Sequence, residues 1–296
     1  MFQRAKLGES FVAFASDIKI EHTVFSLPFV ISGVLLSGIE RVTLLQCFLI
    51  LGAMIFARSF AMGCNRFLDR KIDGQNIRTK SRAIPSGKLN KNSAMFWIFT
   101  SGTMFLVCAY LLRKESVGLG VLVLVLFWFY PLLKKYTYTC HLFLGFCLGM
   151  APLGAHIALF GAWSWGLVIL GCGICFWCAG FDIIYSVQDM DFDKKNRLYS
   201  IPSVMGVKKA IYISRCFFGI SVISFCYCGV LFNLGVLYYA GVLLVAGLLV
   251  VEHILVLDLF HGGDSRNINV AFFQINCVVS LVFCLFVFLD KLIIIN

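Results

Sequence analysis

Residues 43–73 read TLLQCFLILGAMIFARSFAMGCNRFLDRKID, an apolar run that ends in Asn65, Asp69 and Asp73 at intervals of four. The run has membrane-crossing length, since about 20 apolar residues span the hydrocarbon of a bilayer. Residues four apart on a helix advance about 6 Å and turn only about 40° beyond a full revolution, so the three polar side chains share one face. The same design recurs downstream, where the apolar stretch 163–188 carries Asp182 and is followed by Asp189 and Asp193. Asp182 and Asp189 are seven apart and Asp193 is four further on, which predicts a second stripe. With Asp191, these clusters use six of the 15 acidic residues, so the scarce negative charge is gathered at two places.

The rest of the chain agrees with a membrane reading. Its 296 residues are 60% apolar and only 14% charged, with mean hydropathy +0.91, which excludes an ordinary soluble domain. Apolar stretches at 24–40, 43–64, 93–112, 117–133, 141–160, 163–188, 210–231, 234–257 and 270–290 predict an all-α, multi-pass membrane protein. The expected fold is nine transmembrane helices in a bundle around a central cavity, forming one domain over 1–296. In residues 1–22, Arg4 and Lys6 precede a mixed stretch with Phe11, Val12, Phe14, Ile18 and Ile20, as in an interfacial helix rather than a cleavable signal.

Of the 25 basic residues, a cytoplasmic N-terminus leaves only Arg41, Arg113, Lys114 and Lys291 on the opposite side, with Arg58 inside a helix. The positive-inside rule therefore predicts the N-terminus and both acidic helix ends in the cytoplasm and the C-terminus outside. The net charge of +10 lies in short loops, which suits anionic lipid and a phosphorylated substrate better than nucleic acid. The 13 cysteines lie mostly inside apolar helices and imply no disulfide framework. Cys172, Cys175 and Cys178, beside Gly171, Gly173 and Gly180, suit helix packing better than a metal centre.

An internal repeat is visible. Ile84-Pro85-Ser86 with Gly87-Lys88 follows the first acidic end, and Ile201-Pro202-Ser203 with Gly206 and Lys208 follows the second. Two similar halves, about 24–135 and 141–257, plus a last helix at 270–290, are the expected organisation, with the clusters facing each other.

The oxygen donors of Asn65, Asp69, Asp73, Asp182, Asp189 and Asp193 suit Mg²⁺, a hard ion that completes its shell with water and phosphate. Arg66, Arg70, Lys71, Arg78, Lys80, Arg82, Lys194 and Arg197 suit the remaining oxygens of a diphosphate. Metal activation with cationic support is what ionising a carbon–oxygen bond to diphosphate requires. Helix capping and loop ion pairs are the blander account, preferred for Asp191, which lies off the stripe. For Asp182 the blander account is weaker, because a carboxylate at membrane depth costs about 2.5–3.5 kcal/mol unless it has a partner. Arg58, two turns before Asn65, suits an acceptor carboxylate, the diphosphate, or a buried acid or carbonyl. Tyr130 and Lys134 suit substrate contact or interfacial anchoring. Tyr185, Gln188 and His22 are weaker candidates for substrate contact, and His141, His156, His253 and His261 show no ligand spacing. Repeated halves with intramembrane charge also describe transporters, but those place ion ligands at broken helices near the midplane.

Asn65-Arg66-Phe67-Leu68-Asp69-Arg70-Lys71-Ile72-Asp73 resembles the N-x-x-x-D-x-x-x-D signature of the UbiA-type intramembrane aromatic prenyltransferases, and Asp189 to Asp193 resembles their second D-x-x-x-D. Tyr130-Pro131-Leu132-Leu133-Lys134 is similar to their Y-x-x-x-K element, and Arg78-Thr79-Lys80 to Pro85-Ser86-Gly87 resembles the loop after the first motif. Two features depart from the common pattern: Arg66 stands where many members carry an acid, and Ala83-Ile84-Pro85 replaces an Arg-Pro-Leu-like sequence. Glu21-His22-Thr23, Arg58 to Met62 and Asp182 to Asp189 look like the subgroup labelled 4-hydroxybenzoate polyprenyltransferase. The resemblance implies Mg²⁺-dependent transfer of a polyprenyl group from its diphosphate to 4-hydroxybenzoate, for respiratory quinone synthesis in a bacterial inner membrane. The same chemistry on 1,4-dihydroxy-6-naphthoate, for menaquinone, is the alternative acceptor. Asp69, Asp73, Asp189 and Asp193 are the implied catalytic acids, and some of the 30 Phe residues would line the prenyl tunnel.

Overall fold

The apolar runs become helices. A computed structural model describes residues 7–19, 26–256 and 271–295, and every regular element among them is helical. Arg4, Lys6, Ile20, Glu21, His22, Thr23, Phe25, His261 and Arg266 lie outside the described residues. In chain order the helices are α1 (Leu7–Asp17), α2 (Leu27–Gly38), α3 (Leu44–Asp73), α4 (Lys91–Leu112), α5 (Ser116–Phe129) and α6 (Cys140–Phe160). They continue with α7 (Trp165–Ser186), α8 (Met190–Lys195), α9 (Ile201–Leu231), α10 (Val236–Leu255) and α11 (Asn276–Ile295). Short 3-10 turns over Tyr130–Lys135 and Val187–Asp189 extend α5 and join α7 to α8.

Among the described residues, 8 helices are long and apolar enough to cross a bilayer: α3 to α6, α7 with its continuation to Lys195, α9, α10 and α11. The expected ninth is shorter than its apolar stretch. α2 has 12 residues, which at 1.5 Å each reach about 18 Å against about 30 Å of hydrocarbon.

The chain divides into two compact units. The first contains α1, α3, α4, α5 and the loop after α3. A capping box starts α3: Gln46 N–H donates to Thr43 Oγ1 (3.3 Å), and Thr43 N–H donates to Gln46 Oε1 (2.9 Å). α4 starts at Asn90, whose side chain accepts from Ser93 N–H at 2.8 Å. Phe14, Ile18, Phe60, Cys64, Ala94 and Ile98 make the core of this unit together with Ala83, Ile84 and Leu89 from the loop. α1 is amphipathic. It buries Ser10, Phe14 and Asp17, leaves Leu7, Phe11 and Val12 exposed, and is tied to α4 by Trp97 Nε1–H donating to Ser10 Oγ (3.1 Å).

In the second unit, α7 packs between α6 and α9, with Leu167, Leu170, Ile174 and Trp177 fully buried. Small residues set the spacing, because a Cβ on Gly145 would overlap the Cys175 carbonyl oxygen and one on Gly149 would overlap that of Gly171. Ser214 and Ser221 of α9 donate to the carbonyls of Gly180 and Gly173, both at 2.8 Å, so polar groups stay satisfied without water. Phe29 of α2, Trp177, Phe225, Tyr238 and Phe283 fill the core around α7. All 13 cysteines are free thiols, and Cys172, Cys175 and Cys178 run from exposed to buried along α7. Exposed apolar side chains such as Leu44, Phe48, Leu122, Ile223 and Leu243 lie on the long helices, the surface that lipid requires.

Candidate active site

The first cluster occupies the last three turns of α3. The helix is continuous through Asp73, so the spacing of four holds Asn65, Asp69 and Asp73 along one face. Asp69 is 1% exposed and Asp73 5%, inside protein rather than in a solvated loop. Arg82, in the loop after α3, places Nη1 2.7 Å from both oxygens of Asp73, and Thr79 Oγ1–H donates to the Asp73 carbonyl at 3.1 Å. Arg66 is buried; its Nε–H donates to the Asp17 carbonyl (3.0 Å) and its Nη1–H to Asn65 Oδ1 (3.4 Å). Arg82, Asp73, Asp17 and Tyr130 share its electrostatic neighbourhood. Arg70 lies over the Phe67 ring, 4.4 Å from its centroid, and donates to the Phe67 carbonyl at 2.5 Å. Arg58 is half-buried and donates Nη1–H to the Lys19 carbonyl at 3.2 Å, and Tyr130 is buried. Arg78, Lys71 and Lys80 are exposed.

The second cluster is built differently. α7 stops at Ser186, and the 3-10 turn Val187–Asp189 leads into α8, so Asp182 and Asp193 do not share one helix. A 3-10 turn has 3.0 residues per turn against 3.6, which rotates the chain beyond it by about 20° per residue and about 60° in all. The expected continuous stripe is therefore broken after Asp182. Asp182 Oδ2 lies 2.7 Å from His141 Nδ1, and Asp193 Oδ2 accepts from the Ser200 hydroxyl at 3.0 Å. Asp189 and Asp193 are half-buried, whereas Asp191 is exposed. Lys134 and Tyr185 are half-buried and Lys194 is exposed. The Lys134 carbonyl accepts from Tyr199 N–H at 2.7 Å, which fastens the loop before α9 to the Tyr130–Lys135 turn.

Two residues enter that local spacing does not reveal. Asp17, at the end of α1, accepts from Arg66 through its carbonyl and from Ala83 N–H through Oδ1 at 2.7 Å, binding α1, α3 and the loop together. His141, 3% exposed, is the direct partner of Asp182. An unpartnered acid at membrane depth is the one available signal for the second, since it calls for some distant donor. Among the described residues, no three His, Cys, Asp or Glu side chains come together closely enough to hold a metal ion. Arg82 occupies Asp73 and His141 occupies Asp182.

The model of the UbiA prenyltransferase family matches residues 26–278. The chain belongs to that family. Among UbiA proteins, a homologue from Aeropyrum pernix K1 in its apo form is 30% identical, with TM-score 0.81 over 92% of this chain and 98% of that one. A homologue from Archaeoglobus fulgidus bound to DMAPP and Mg²⁺ shares the fold with TM-score 0.67 at 16% identity, covering 95% of this chain and 99% of that one. The 4-hydroxybenzoate octaprenyltransferase of Vibrio campbellii is 30% identical over 157 residues, 53% of this chain and 55% of the relative. The mitochondrial 4-hydroxybenzoate polyprenyltransferase of Saccharomyces cerevisiae is 32% identical over 161 residues, 52% of this chain and 43% of the relative. The matched part thus spans about half the length of these curated relatives.

Proposed function

We propose that this protein transfers a polyprenyl group from polyprenyl diphosphate to a ring carbon of 4-hydroxybenzoate, in respiratory quinone synthesis. The observation that carries the reading is the buried acid cluster at the end of α3, with Asp69 and Asp73 at 1% and 5% exposure among Arg66, Arg70 and Arg82, in a UbiA-family chain. Names of relatives support the acceptor, and the DMAPP and Mg²⁺ held by the Archaeoglobus homologue support the donor class and the ion.

The donor set fits Mg²⁺: Asn65, Asp69, Asp73, Asp182, Asp189 and Asp193 supply only hard oxygens. When bound, the ion neutralises diphosphate charge and so improves the leaving group. Arg66, Arg70, Arg78, Arg82 and Lys194 hold the remaining phosphate oxygens, with Arg78 and Lys194 on the exposed side. Arg58, Tyr130, Lys134 and Tyr185 orient the substrates. The allylic carbon–oxygen bond breaks with its electron pair going to diphosphate, the ring carbon forms the new bond, and the ring proton is lost. This reading requires apolar side chains around the reacting carbon, to exclude the water that would capture the allylic cation.

Gly87, in the loop after α3, and Gly206, at a kink inside α9, both have φ of +79°, a conformation that favours glycine, although the two lie in different kinds of element. The basic loops support acidic ends turned to the cytoplasm, the bacterial relatives support an inner-membrane location, and the exposed Leu7, Phe11 and Val12 of α1 suit the bilayer interface.

The test is an assay in nanodiscs with labelled polyprenyl diphosphate, Mg²⁺ and either 4-hydroxybenzoate or 1,4-dihydroxy-6-naphthoate. Product with 4-hydroxybenzoate alone is expected, and Asp69→Ala or Asp189→Ala should each lower turnover by about 10²–10³-fold, the usual effect of removing one charge-stabilising group. Product with the naphthoate alone would move the protein to menaquinone synthesis. Metal-independent prenylation, or full activity in the Asp69→Ala/Asp189→Ala double variant, would overturn the mechanism, and substrate flux without product would indicate a transporter.

A further inference from the structure

Three consecutive residues leading into α9 reach three parts of the second cluster. Tyr199 N–H donates to the Lys134 carbonyl (2.7 Å), the Ser200 hydroxyl donates to Asp193 Oδ2 (3.0 Å), and Ile201 N–H donates to His141 Nε2 (3.3 Å). A backbone N–H can only donate, so Nε2 is the acceptor and the ring proton sits on Nδ1. That proton points at Asp182 Oδ2, 2.7 Å away. His141 is 3% exposed, so the ring itself is shielded from water, while the Asp182 side chain stays 24% exposed.

Asp182 precedes the 3-10 turn and Asp193 comes after it, so the helix backbone alone does not hold the two carboxylates in a common register. The hydrogen bonds supply what the broken helix lacks. Ser200 and Ile201 are adjacent, and one grips Asp193 directly while the other grips Asp182 through the imidazole. We infer that His141 is a positioning residue: as a neutral ring protonated on Nδ1, it fixes the rotamer of Asp182 and couples it through Ile201 and Ser200 to Asp193. The bond takes Oδ2 and leaves Oδ1 as the oxygen turned to a ligand. This inference rests on the proposed function, in which both aspartates are donors to the ion.

A ring that merely fills space would affect stability and leave ion affinity unchanged. The experiment uses full-length protein in nanodiscs and compares wild type with His141→Gln, whose amide keeps one donor and one acceptor, and His141→Phe, which keeps neither. Mn²⁺ binding is read by electron paramagnetic resonance without prenyl substrate, beside thermal unfolding and separate kcat and KM values. Outer hydrogen-bond partners of metal ligands usually matter 10–100-fold, so His141→Phe should weaken Mn²⁺ by at least about 10-fold and His141→Gln by no more than about threefold. A folded His141→Phe that binds Mn²⁺ like wild type overturns the inference, as does a folded His141→Gln no better than His141→Phe. If His141→Phe does not fold, ¹⁵N spectra of the wild-type ring decide, the His141 signal being assigned by its loss in His141→Gln. Protonation on Nδ1 alone supports the clamp, and a proton on Nε2, whether alone or in an imidazolium, overturns it. A wild-type protein without prenyl transfer overturns the functional reading alone, because the ring tautomer is read without substrate or metal.

Discussion

At the scale of single residues, the Asp73–Arg82 pair is the point where stability and function meet. Asp73 has a side chain only 7% exposed, and a single nitrogen of Arg82 sits 2.7 Å from both its oxygens. Removing the arginine leaves a carboxylate buried without its cation, and hydrogen bonds to charged groups contribute about 1.5–3 kcal/mol. Arg82→Met should therefore lower the stability of the folded protein by about that amount, read as a fall in the thermal unfolding midpoint. Lys80 is exposed in the same loop, and Lys80→Met should stay within about 0.5 kcal/mol. Adding Asp73→Asn to Arg82→Met removes the stranded charge and should recover part of the loss; if it recovers none, the pair is not what holds the loop.

At the scale of helices, close approach sets the site, since His141 stands on α6 and Asp182 on α7. The backbones of these helices touch where Gly145 and Gly149 oppose Cys175 and Gly171. Gly149→Val pushes the helices apart and should abolish both folding yield and activity, whereas Gly154→Ala, whose Cβ meets nothing within 4 Å, should cost neither. Equal behaviour of the two variants would show that α6 and α7 are not packed through that face. A second element-level device joins α10 to α11. The start of α10 has no side-chain cap of its own, and Asp290 of α11 accepts from Gly235 N–H at 2.8 Å and Tyr238 N–H at 3.2 Å. Asp290 is 3% exposed, so Asp290→Ala strands one buried and one half-buried donor and should cost about 1–3 kcal/mol, while Asp290→Asn keeps an acceptor and should cost less. Hydrogen exchange at the Gly235 and Tyr238 amides reports the effect directly, and unchanged protection in Asp290→Ala would exclude the cap.

At the scale of the whole molecule, what the sequence discloses divides along the range of the interactions. Helices are legible because a spanning helix satisfies its backbone internally, so length and apolar composition suffice. The Asn65, Asp69 and Asp73 face is legible for the same reason, being a matter of spacing within one helix. The long-range pairs around the two clusters are not: Asp17 and Ala83 are 66 positions apart, and His141 and Asp182 are 41, distances at which no local pattern marks a pair. The 3-10 turn at Val187–Asp189 is likewise hidden, because its residues are compatible with a continuous helix and only tertiary packing breaks the register. The extent of α2 falls between these cases, and the direction of the whole chain through the bilayer depends on it. By length α2 is too short to cross, and eight crossings would return both termini to one side. Its packing argues otherwise. Gly33 lies against Pro152 and Ser37 bonds His156 at 2.9 Å, each pair four residues on from the last, so α2 runs parallel to the membrane-length α6 and carries Arg41 to the end where α6 meets Trp163 and Trp165. We therefore expect nine crossings, with the N-terminus on the basic, cytoplasmic side and Lys291 outside. A green fluorescent protein fused to the N-terminus should fluoresce, and alkaline phosphatase fused after Lys291 should be active. Fluorescence at both ends would mean that α2 turns back within the bilayer, and activity of phosphatase at the N-terminus would overturn the orientation itself.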